Sequence, residues 1–237
     1  MAEYRQYCPV ARACEILADR WTPLIVRELL AGSTHFNEIE RGLPGISRSL
    51  LASRLRHLED AGVLERSAGT HSRTTAYHLT AAGHDLKKVI DRFGAWGVRW
   101  AFGEPRPEEL NPVLLLWKVH QRVRRDLVPA ARTVVEFSFT GRKGRRLWLV
   151  LTPHEVSVCL KPPGFDTDLT VRADLAYFYS VWLGYVDYPT AIRTRGISLE
   201  GPSRLVRDFP RWLSWSPMAS FVRSERERQS VSPVDHA

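Results

Sequence analysis

Residues 45–62 constrain the fold of this chain more than any other segment. Ser47 can cap a helix, because its hydroxyl oxygen can accept a backbone N–H of the first turn. Leu51, Leu55 and Leu58 then recur at helical spacing, which makes one face of the segment apolar. The segment therefore predicts an amphipathic helix that begins after Ser47 and docks on a core through its leucines.

The opposite face of this helix is polar and basic. Ser49, Ser53 and Arg56 lie on it, and Arg48 lies at its exposed N-terminal end. Arginine can donate to guanine edges or to phosphates, and small serines let the helix backbone approach a duplex. No acidic residue interrupts the face before Asp60. The pattern fits a DNA-reading helix, and an ordinary amphipathic helix with a solvated basic face is the alternative.

The neighbouring segments favour the first interpretation. A short helix over residues 35–41 and a turn at 43–45 precede the Ser47 helix, which is the order of a helix-turn-helix. Two strands, over residues 62–67 and 75–79, follow it as a hairpin. Such a hairpin is a wing, whose Arg73 near the tip would reach a phosphate or the minor groove. A hairpin that only closes a core is the alternative.

A long helix begins near Thr80 and carries an unusually apolar stripe. The stripe comprises Leu86, Val89, Ile90, Phe93, Trp96, Gly97 and Trp100. A small domain cannot cover so many large apolar side chains by itself, so the helix is predicted to form part of a dimer interface. Packing against a second domain of the same chain is the alternative.

The first hundred residues resemble a known family. Cys8-Pro9-Val10, Arg20-Trp21, Leu43-Pro44-Gly45-Ile46-Ser47 and Tyr77-x-Leu79-Thr80-x2-Gly83 occur in order. Together they are similar to the HxlR-type winged helix-turn-helix regulators, relatives of the MarR group. The resemblance implies a homodimeric transcription factor that places the Ser47 helix in the major groove of double-stranded DNA, on a palindromic operator.

The same resemblance raises a redox hypothesis for Cys8. Some members of the family sense oxidants through a cysteine that precedes proline near the N-terminus, as Cys8 does here. A helix N-terminus and the nearby Arg12 would favour the thiolate. The alternative is a small residue that packs in the dimer interface. Cys14 is interpreted as a core residue.

A linker over residues 104–111, rich in proline and glutamate, separates a second half of different character. A helix over 113–127, strands over 133–139, 145–151, 155–160 and 168–172, an aromatic helix over 173–186, a strand over 196–201 and a helix over 202–212 are predicted there. With the first half, this order gives an α+β fold class with a curved, mostly antiparallel sheet in the second domain.

The second half resembles the sterol-carrier-protein-2-like fold through Asp168-Leu169-Thr170-Val171, the aromatic helix and Gly196-Ile197-x-Leu199-x-Gly201. That resemblance implies an apolar tunnel for a lipid or another hydrophobic small molecule. An aromatic-rich, mostly apolar lining agrees with such a site. The predicted ligand-binding residues are Trp148, Tyr177, Phe178, Trp182 and Trp212. Aromatic side chains that only fill the core are the alternative.

Composition excludes several classes of protein. Three cysteines form neither a disulfide framework nor a metal pattern, so no metal or cofactor is expected. No glycine-rich phosphate loop or nucleophile elbow occurs, and an enzyme is not expected. No apolar run is long enough to span a membrane, which predicts a cytoplasmic protein without a membrane partner. The net charge of +8 favours a polyanionic partner, yet residues 1–104 contribute only +2 of it.

These patterns combine into one hypothesis. Residues 1–103 form a winged helix-turn-helix and dimerisation domain, 104–111 a linker, 112–223 a ligand-binding domain and 224–237 a disordered tail. The chain is then a dimeric transcriptional regulator, a repressor, that a hydrophobic ligand controls by changing the spacing of the two reading helices. The alternatives are a carrier of lipids or other hydrophobic ligands, and a redox-sensing regulator that acts through Cys8.

Overall fold

The computed structural model describes residues 4–68 and 75–231. The chain divides into two compact units, the first reaching Phe93 and the second beginning at Gly94. This division falls inside a helix rather than in the linker expected at residues 104–111. Among the described residues, none of the helices combines the length and the apolar character needed to cross a lipid bilayer.

The first unit consists of helices followed by a hairpin. Its elements are α1 Pro9–Leu17, α2 Thr22–Leu30, α3 Phe36–Arg41, α4 Arg48–Asp60, β1 Leu64–Ala68, β2 Thr75–Leu79 and the first part of α5 Ala81–Trp100. β1 and β2 pair antiparallel, with Leu64 opposite Leu79. A backbone hydrogen bond joins the hairpin to the segment before α3: Tyr77 N donates to Thr34 O at 2.7 Å. The expected helix-turn-helix and hairpin are therefore present.

The core of the first unit lies between α2, α3, α4 and the hairpin. Its fully buried members include Ile25, Val26, Ile39, Leu51 and Leu58. They come from helices whose apolar residues recur every three or four positions, which is the spacing that places them on one face.

A buried carboxylate lies beside this core. The Glu28 side chain is inaccessible to solvent, and its Oε1 accepts from Nη2 of Arg27 at 2.8 Å. A Cβ on Gly42 would lie 2.0 Å from Glu28 Oε2, so a side chain at position 42 would displace the carboxylate. Burial of a charge is tolerated only with such a partner. Gly42 is thus required by the close approach of α3 to Glu28.

The second unit is a five-stranded sheet with helices around it. After the end of α5, its elements are α6 Pro112–His120, a short 3-10 turn Arg125–Leu127, β3 Thr133–Thr140, β4 Arg146–Leu151, β5 Val156–Cys159, β6 Leu169–Asp174, α7 Leu175–Trp182, α8 Tyr188–Arg193, β7 Ile197–Glu200, α9 Ser203–Trp212 and α10 Ala219–Val231. The strand order is β5-β4-β3-β6-β7. β3 and β6 run parallel, and the other neighbouring strands of this sheet run antiparallel.

One face of this sheet carries the core of the second unit. Phe137 on β3 lies opposite Leu147 on β4 and Val171 on β6, and all three are buried in the same cluster. Side chains alternate between the two faces along a strand. Trp148 therefore points to the other face, where it lies opposite Glu136 and Cys159.

The structure corrects three sequence expectations for the second unit. The helix expected over 113–127 ends at His120, and a separate 3-10 turn follows at Arg125–Leu127. α8 was not expected, and Asp187 caps it by accepting from Thr190 N at 2.7 Å. The disordered tail expected from residue 224 is wrong as far as Val231, because α10 continues that far.

Contacts within the second unit explain the order of α10. Val222 is buried, and Glu225 is buried and paired with Arg228. Arg226 Nη1 donates to the Tyr185 carbonyl oxygen at 2.7 Å. The charged, polar composition after residue 223 predicted disorder, because composition does not show contacts with distant residues such as Tyr185. Residues 232–237 lie outside the described residues.

Tyr188 provides a test of this core. Its side chain is buried, and its hydroxyl has no hydrogen-bond partner among the described residues. Burial raises the pKa of the phenol above its ordinary value. Tyr188→Phe is expected to stabilise the protein by about 1 kcal/mol, because the variant does not bury an unsatisfied hydroxyl. Urea unfolding at pH 7 measures this change.

The raised pKa of Tyr188 also sets a pH dependence. Because the pKa of this phenol is raised in the folded state, the unfolded chain loses the phenol proton first, and the free energy of unfolding falls as the pH rises above about 10. Unfolding measured between pH 8 and 11 is expected to show a steeper alkaline loss for wild type than for Tyr188→Phe. A variant that is less stable at pH 7 would mean that the hydroxyl has a partner.

Candidate nucleic-acid interface

The reading helix predicted from the sequence is α4. Ser47 is its N-cap, and Ser47 Oγ accepts from Leu50 N at 3.3 Å. Gly45 adopts φ +94° in the turn before it, a conformation that favours glycine. Leu51, Leu55 and Leu58 are fully buried. The predicted cap and the predicted docking face are both confirmed.

The opposite face of α4 is open to solvent. Ser47, Ser49, Ser53 and Arg56 are all exposed, and Arg56 forms no ion pair with any described residue. This set of side chains, together with Arg48, is called the α4 face below. It presents hydroxyl donors and acceptors beside a free guanidinium group, which is the chemistry that base edges and phosphates accept.

Arg48 is less free than the sequence suggested. Its guanidinium group pairs with Glu40 and approaches Asn37 Oδ1 at 3.3 Å. The group also lies over the ring of Phe36, 4.7 Å from the centroid. Arg48 is thus held against α3, although its side chain remains mostly exposed. A phosphate at this position would compete with Glu40 for the guanidinium group.

An acidic residue near the end of α4 is neutralised by the hairpin. Glu59 Oε1 accepts from Arg66 Nε at 2.8 Å, and this contact raises the pKa of the Arg66 guanidinium group. Arg66 lies on β1, opposite Tyr77. Sequence reasoning missed this pair, because it forms across the turn between the helix and the hairpin. It lowers the negative charge that a duplex would meet beside the α4 face.

The hairpin is anchored at its base. The Thr80 hydroxyl donates to the Gly62 carbonyl oxygen at 2.7 Å. A Cβ on Gly83 would lie 2.2 Å from the Val63 carbonyl oxygen, so α5 approaches the hairpin more closely than other residues permit. The tip, with the predicted DNA contact Arg73, lies outside the described residues.

An apolar groove lies on another side of the first unit. It has a volume of about 680 Å³ and is lined by α1, residues 19–21, the start of α2, and Val89 and Phe93 of α5. Val10, Leu24 and Phe93 are exposed there, and Trp96 and Trp100 are exposed farther along α5. The exposed side chains of Val89, Phe93, Trp96 and Trp100 thus form an apolar stripe along α5.

Two of the three cysteines, Cys8 and Cys14, lie at the start of α1 and within it. Cys8 is half-buried at the N-cap position of α1, and Cys14 is half-buried and lines the groove. The redox role of Cys8 stays a prediction. The core position expected for Cys14 is wrong, because its side chain remains partly accessible in the groove.

The residues predicted to bind a hydrophobic ligand do not form one site. Phe178 and Trp212 are fully buried in the core of the second unit, where the ring of Phe178 packs edge-on against Phe137 with 5.8 Å between centroids. Trp148 lies on the opposite face of the sheet. Tyr177 and Trp182, on α7, are half-buried around the core.

The structure adds one residue pair to the environment of α4. Arg54 Nη1 lies 2.6 Å from Asp19 Oδ2. Neither residue was singled out in the sequence, since Asp19 lies 35 positions earlier and in a turn. Among the described residues, no group of three or more histidine, cysteine or acidic side chains is arranged to hold a metal ion.

Comparison with known proteins identifies the first unit. The model of the HxlR-like helix-turn-helix family matches residues 16–104. YvaP of Bacillus subtilis (strain 168), described as an uncharacterized HTH-type transcriptional regulator, is 37% identical over 97 residues, which are 40% of this chain and 90% of YvaP. The chain belongs to the HxlR-like helix-turn-helix family.

Two further proteins, both named as transcriptional regulators, are similar to this chain. The HTH-type regulator Rv3095 of Mycobacterium tuberculosis (strain ATCC 25618 / H37Rv) is 40% identical over 100 residues, which cover 42% of this chain and 61% of Rv3095. The solved structure of the reduced form of YodB from B. subtilis is 33% identical, with a TM-score of 0.36, and covers 40% of this chain and 96% of YodB. The residues that carry the sterol-carrier-protein-2-like resemblance lie beyond residues 16–104, and that resemblance stays a prediction.

Proposed function

We propose that this chain is a DNA-binding transcriptional regulator that acts as a homodimer on a palindromic operator. The observation that carries the proposal is the α4 face, which is open, free of acidic residues and fixed to the core by three buried leucines. Family membership and the names of the relatives support it. A dimer places two such helices in successive major grooves, about one helical turn apart.

Selection from a random duplex library tests this function. The purified full chain is incubated with the library, and retained duplexes are sequenced. The expected result is an inverted repeat whose half-sites lie about 10 base pairs, or a multiple of that, apart. A variant with both Ser53→Glu and Arg56→Glu is the control and is expected to enrich no sequence. Equal enrichment by wild type and this variant would exclude α4 as the reading element.

The uncovered apolar stripe supports the homodimer. Monomeric proteins rarely expose a contiguous patch of large apolar side chains, and such a patch marks an interface. Val89 and Phe93 belong both to the stripe and to the groove, so the two form one surface. We infer that a second copy covers this surface in an isologous interface, in which each chain supplies the same patch.

Phe93→Asp is expected to dissociate the dimer, because a carboxylate would be buried in the interface. Analytical ultracentrifugation at micromolar concentration is expected to give a dimer for wild type and a monomer for the variant. Lys88→Ala, on an exposed side chain of the same helix, is the control and is expected to remain dimeric. If Phe93→Asp dimerises with the same dissociation constant as wild type, this surface is not the dimer interface.

Control by a hydrophobic ligand and action as a repressor are parts of the same proposal. Two buried indole N–H groups around the core of the second unit, Trp182 Nε1 and Trp215 Nε1, have no hydrogen-bond partner among the described residues. An apolar molecule with a hydrogen-bond acceptor would satisfy them. Titration with palmitate, followed by tryptophan fluorescence and operator affinity, tests this control. A lack of saturable binding would exclude fatty acids as the ligand class.

A further inference from the structure

The segment between α1 and α2 touches both the apolar groove and the reading helix. Asp19, Arg20 and Trp21 line the groove. Asp19 also pairs with Arg54 of α4, at 2.6 Å. The position that a Cβ on Gly45 would occupy lies 3.9 Å from Cη2 of Trp21, and Gly45 lies in the turn that leads into α4. We call residues 19–21 the groove turn.

The ion pair is sheltered rather than fully solvated. The side chains of Arg54 and Asp19 retain 19% and 32% of their accessible surface. Charges in such a setting interact more strongly than charges on an open surface, because less water screens them. Arg54 projects from α4 beside its buried leucine face and away from Ser53 and Arg56. It therefore acts on the orientation of the helix rather than on the composition of the α4 face.

The groove turn is also conformationally constrained. Trp21 has φ +80°, in the left-handed region, which is an outlier for a large side chain and persists only where surrounding contacts impose it. Trp21 is half-buried and packs against the core cluster of the first unit, to which α4 contributes Leu51, Leu55 and Leu58. Arg54 Nε and Asp19 Oδ2 both lack a hydrogen-bond partner among the described residues, so the two side chains attract each other by charge and not through a hydrogen bond. A change in the groove can thus shift the pair.

We propose that Asp19 and Arg54 are positioning residues that set the orientation of α4, and that the groove turn couples occupancy of the groove by a second copy to DNA recognition. This inference rests on the proposed function, because it concerns how the dimer reads its operator. By thermodynamic linkage, a coupling of this kind acts in both directions: dimerisation favours operator binding, and operator binding favours dimerisation to the same extent.

Asp19→Asn tests the positioning role, because it removes the charge and keeps the size of the side chain. Its affinity for the selected operator is expected to fall about five- to tenfold. The dependence of affinity on salt is expected to stay as in wild type, because no phosphate contact is lost. Asp19→Glu keeps the charge and is expected to restore most of the affinity.

The double variant Asp19→Asn with Arg54→Ala separates positioning from direct contact. If the two residues act through each other, the double variant binds as weakly as either single variant. If Arg54 contacts phosphate itself, Arg54→Ala weakens binding in both backgrounds and lowers the salt slope by about one, which would overturn the inference. The unfolding midpoints of all variants are measured alongside, and losses of affinity that follow losses of stability would also overturn it.

Sedimentation with and without operator DNA tests the coupling. Operator DNA is expected to lower the dissociation constant of the wild-type dimer. In Asp19→Asn, DNA is expected to change this constant much less. Equal shifts in both proteins would exclude the groove turn as the coupling element. A wild-type chain that selects no DNA sequence would instead refute the proposed function, so the two failures are distinguishable.

Discussion

Arg56→Ala is expected to lower operator affinity by about 1–3 kcal/mol for each half-site, which is roughly 5- to 150-fold per half-site. The loss is large because the guanidinium group is exposed on the α4 face and forms no ion pair with any described residue, so all of its donors are free for DNA. Fluorescence anisotropy with the selected duplex, at one fixed salt concentration, measures the change.

The same variant is expected to unfold like wild type, because Arg56 is exposed and supports no described contact. Arg204→Ala provides a matched control, since Arg204 is also an exposed arginine, on α9 of the second unit, and its described ion pair is to Asp208 at 4.0 Å. Its operator affinity is expected to change less than twofold. Equal affinities for Arg56→Ala and wild type would remove Arg56 from the DNA interface.

Phe178→Ala is expected to destabilise the second unit by about 3–5 kcal/mol. The ring is inaccessible to solvent and packs against Phe137, Phe139 and Tyr188, with centroids 5.3–6.3 Å apart. Its removal leaves a cavity in a close-packed aromatic cluster. Thermal unfolding followed by near-ultraviolet circular dichroism is expected to shift downward by roughly 10–20 °C.

Phe165→Ala is the control for this experiment. Phe165 is half-exposed and stacks on the guanidinium group of Arg132 at 3.5 Å, so its loss is expected to change stability by less than about 1 kcal/mol. The pair of variants also decides how the aromatic residues of the second unit are used. A Phe178→Ala protein that stays stable but no longer binds palmitate would show that Phe178 lines a ligand site.

The features that could be predicted from the sequence are those that depend on residues close to each other in the chain. Ser47, Leu51, Leu55 and Leu58 specify a capped helix with one docking face, because the rules for caps and for helical periodicity involve residues within a few positions of each other. The hairpin followed for the same reason, from two short strands around a polar connector. The exposure of Ser49, Ser53 and Arg56 could be predicted from the positions of the leucines alone, because the two sets lie on opposite faces of one helix.

Other features depend on residues that are distant in the chain, and only the tertiary structure decided them. Trp148 and Phe178 were predicted to line one ligand site because both are aromatic. The register of β3 and β4 instead places them on opposite sides of the sheet. Charged composition predicted disorder after residue 223. Instead, buried Val222 and the hydrogen bond from the Arg226 guanidinium group to the Tyr185 carbonyl oxygen hold α10 in place.

The sequence by itself determined the capped, amphipathic helix α4, the hairpin that follows it and the face of α4 that is free. The tertiary structure decided that Arg48 is held by Glu40 and that Asp19 joins the groove to Arg54. The physical reason is the range of the interactions. Caps and amphipathic faces form between residues a few positions apart, whereas ion pairs and close packing depend on how separate elements are brought together in space.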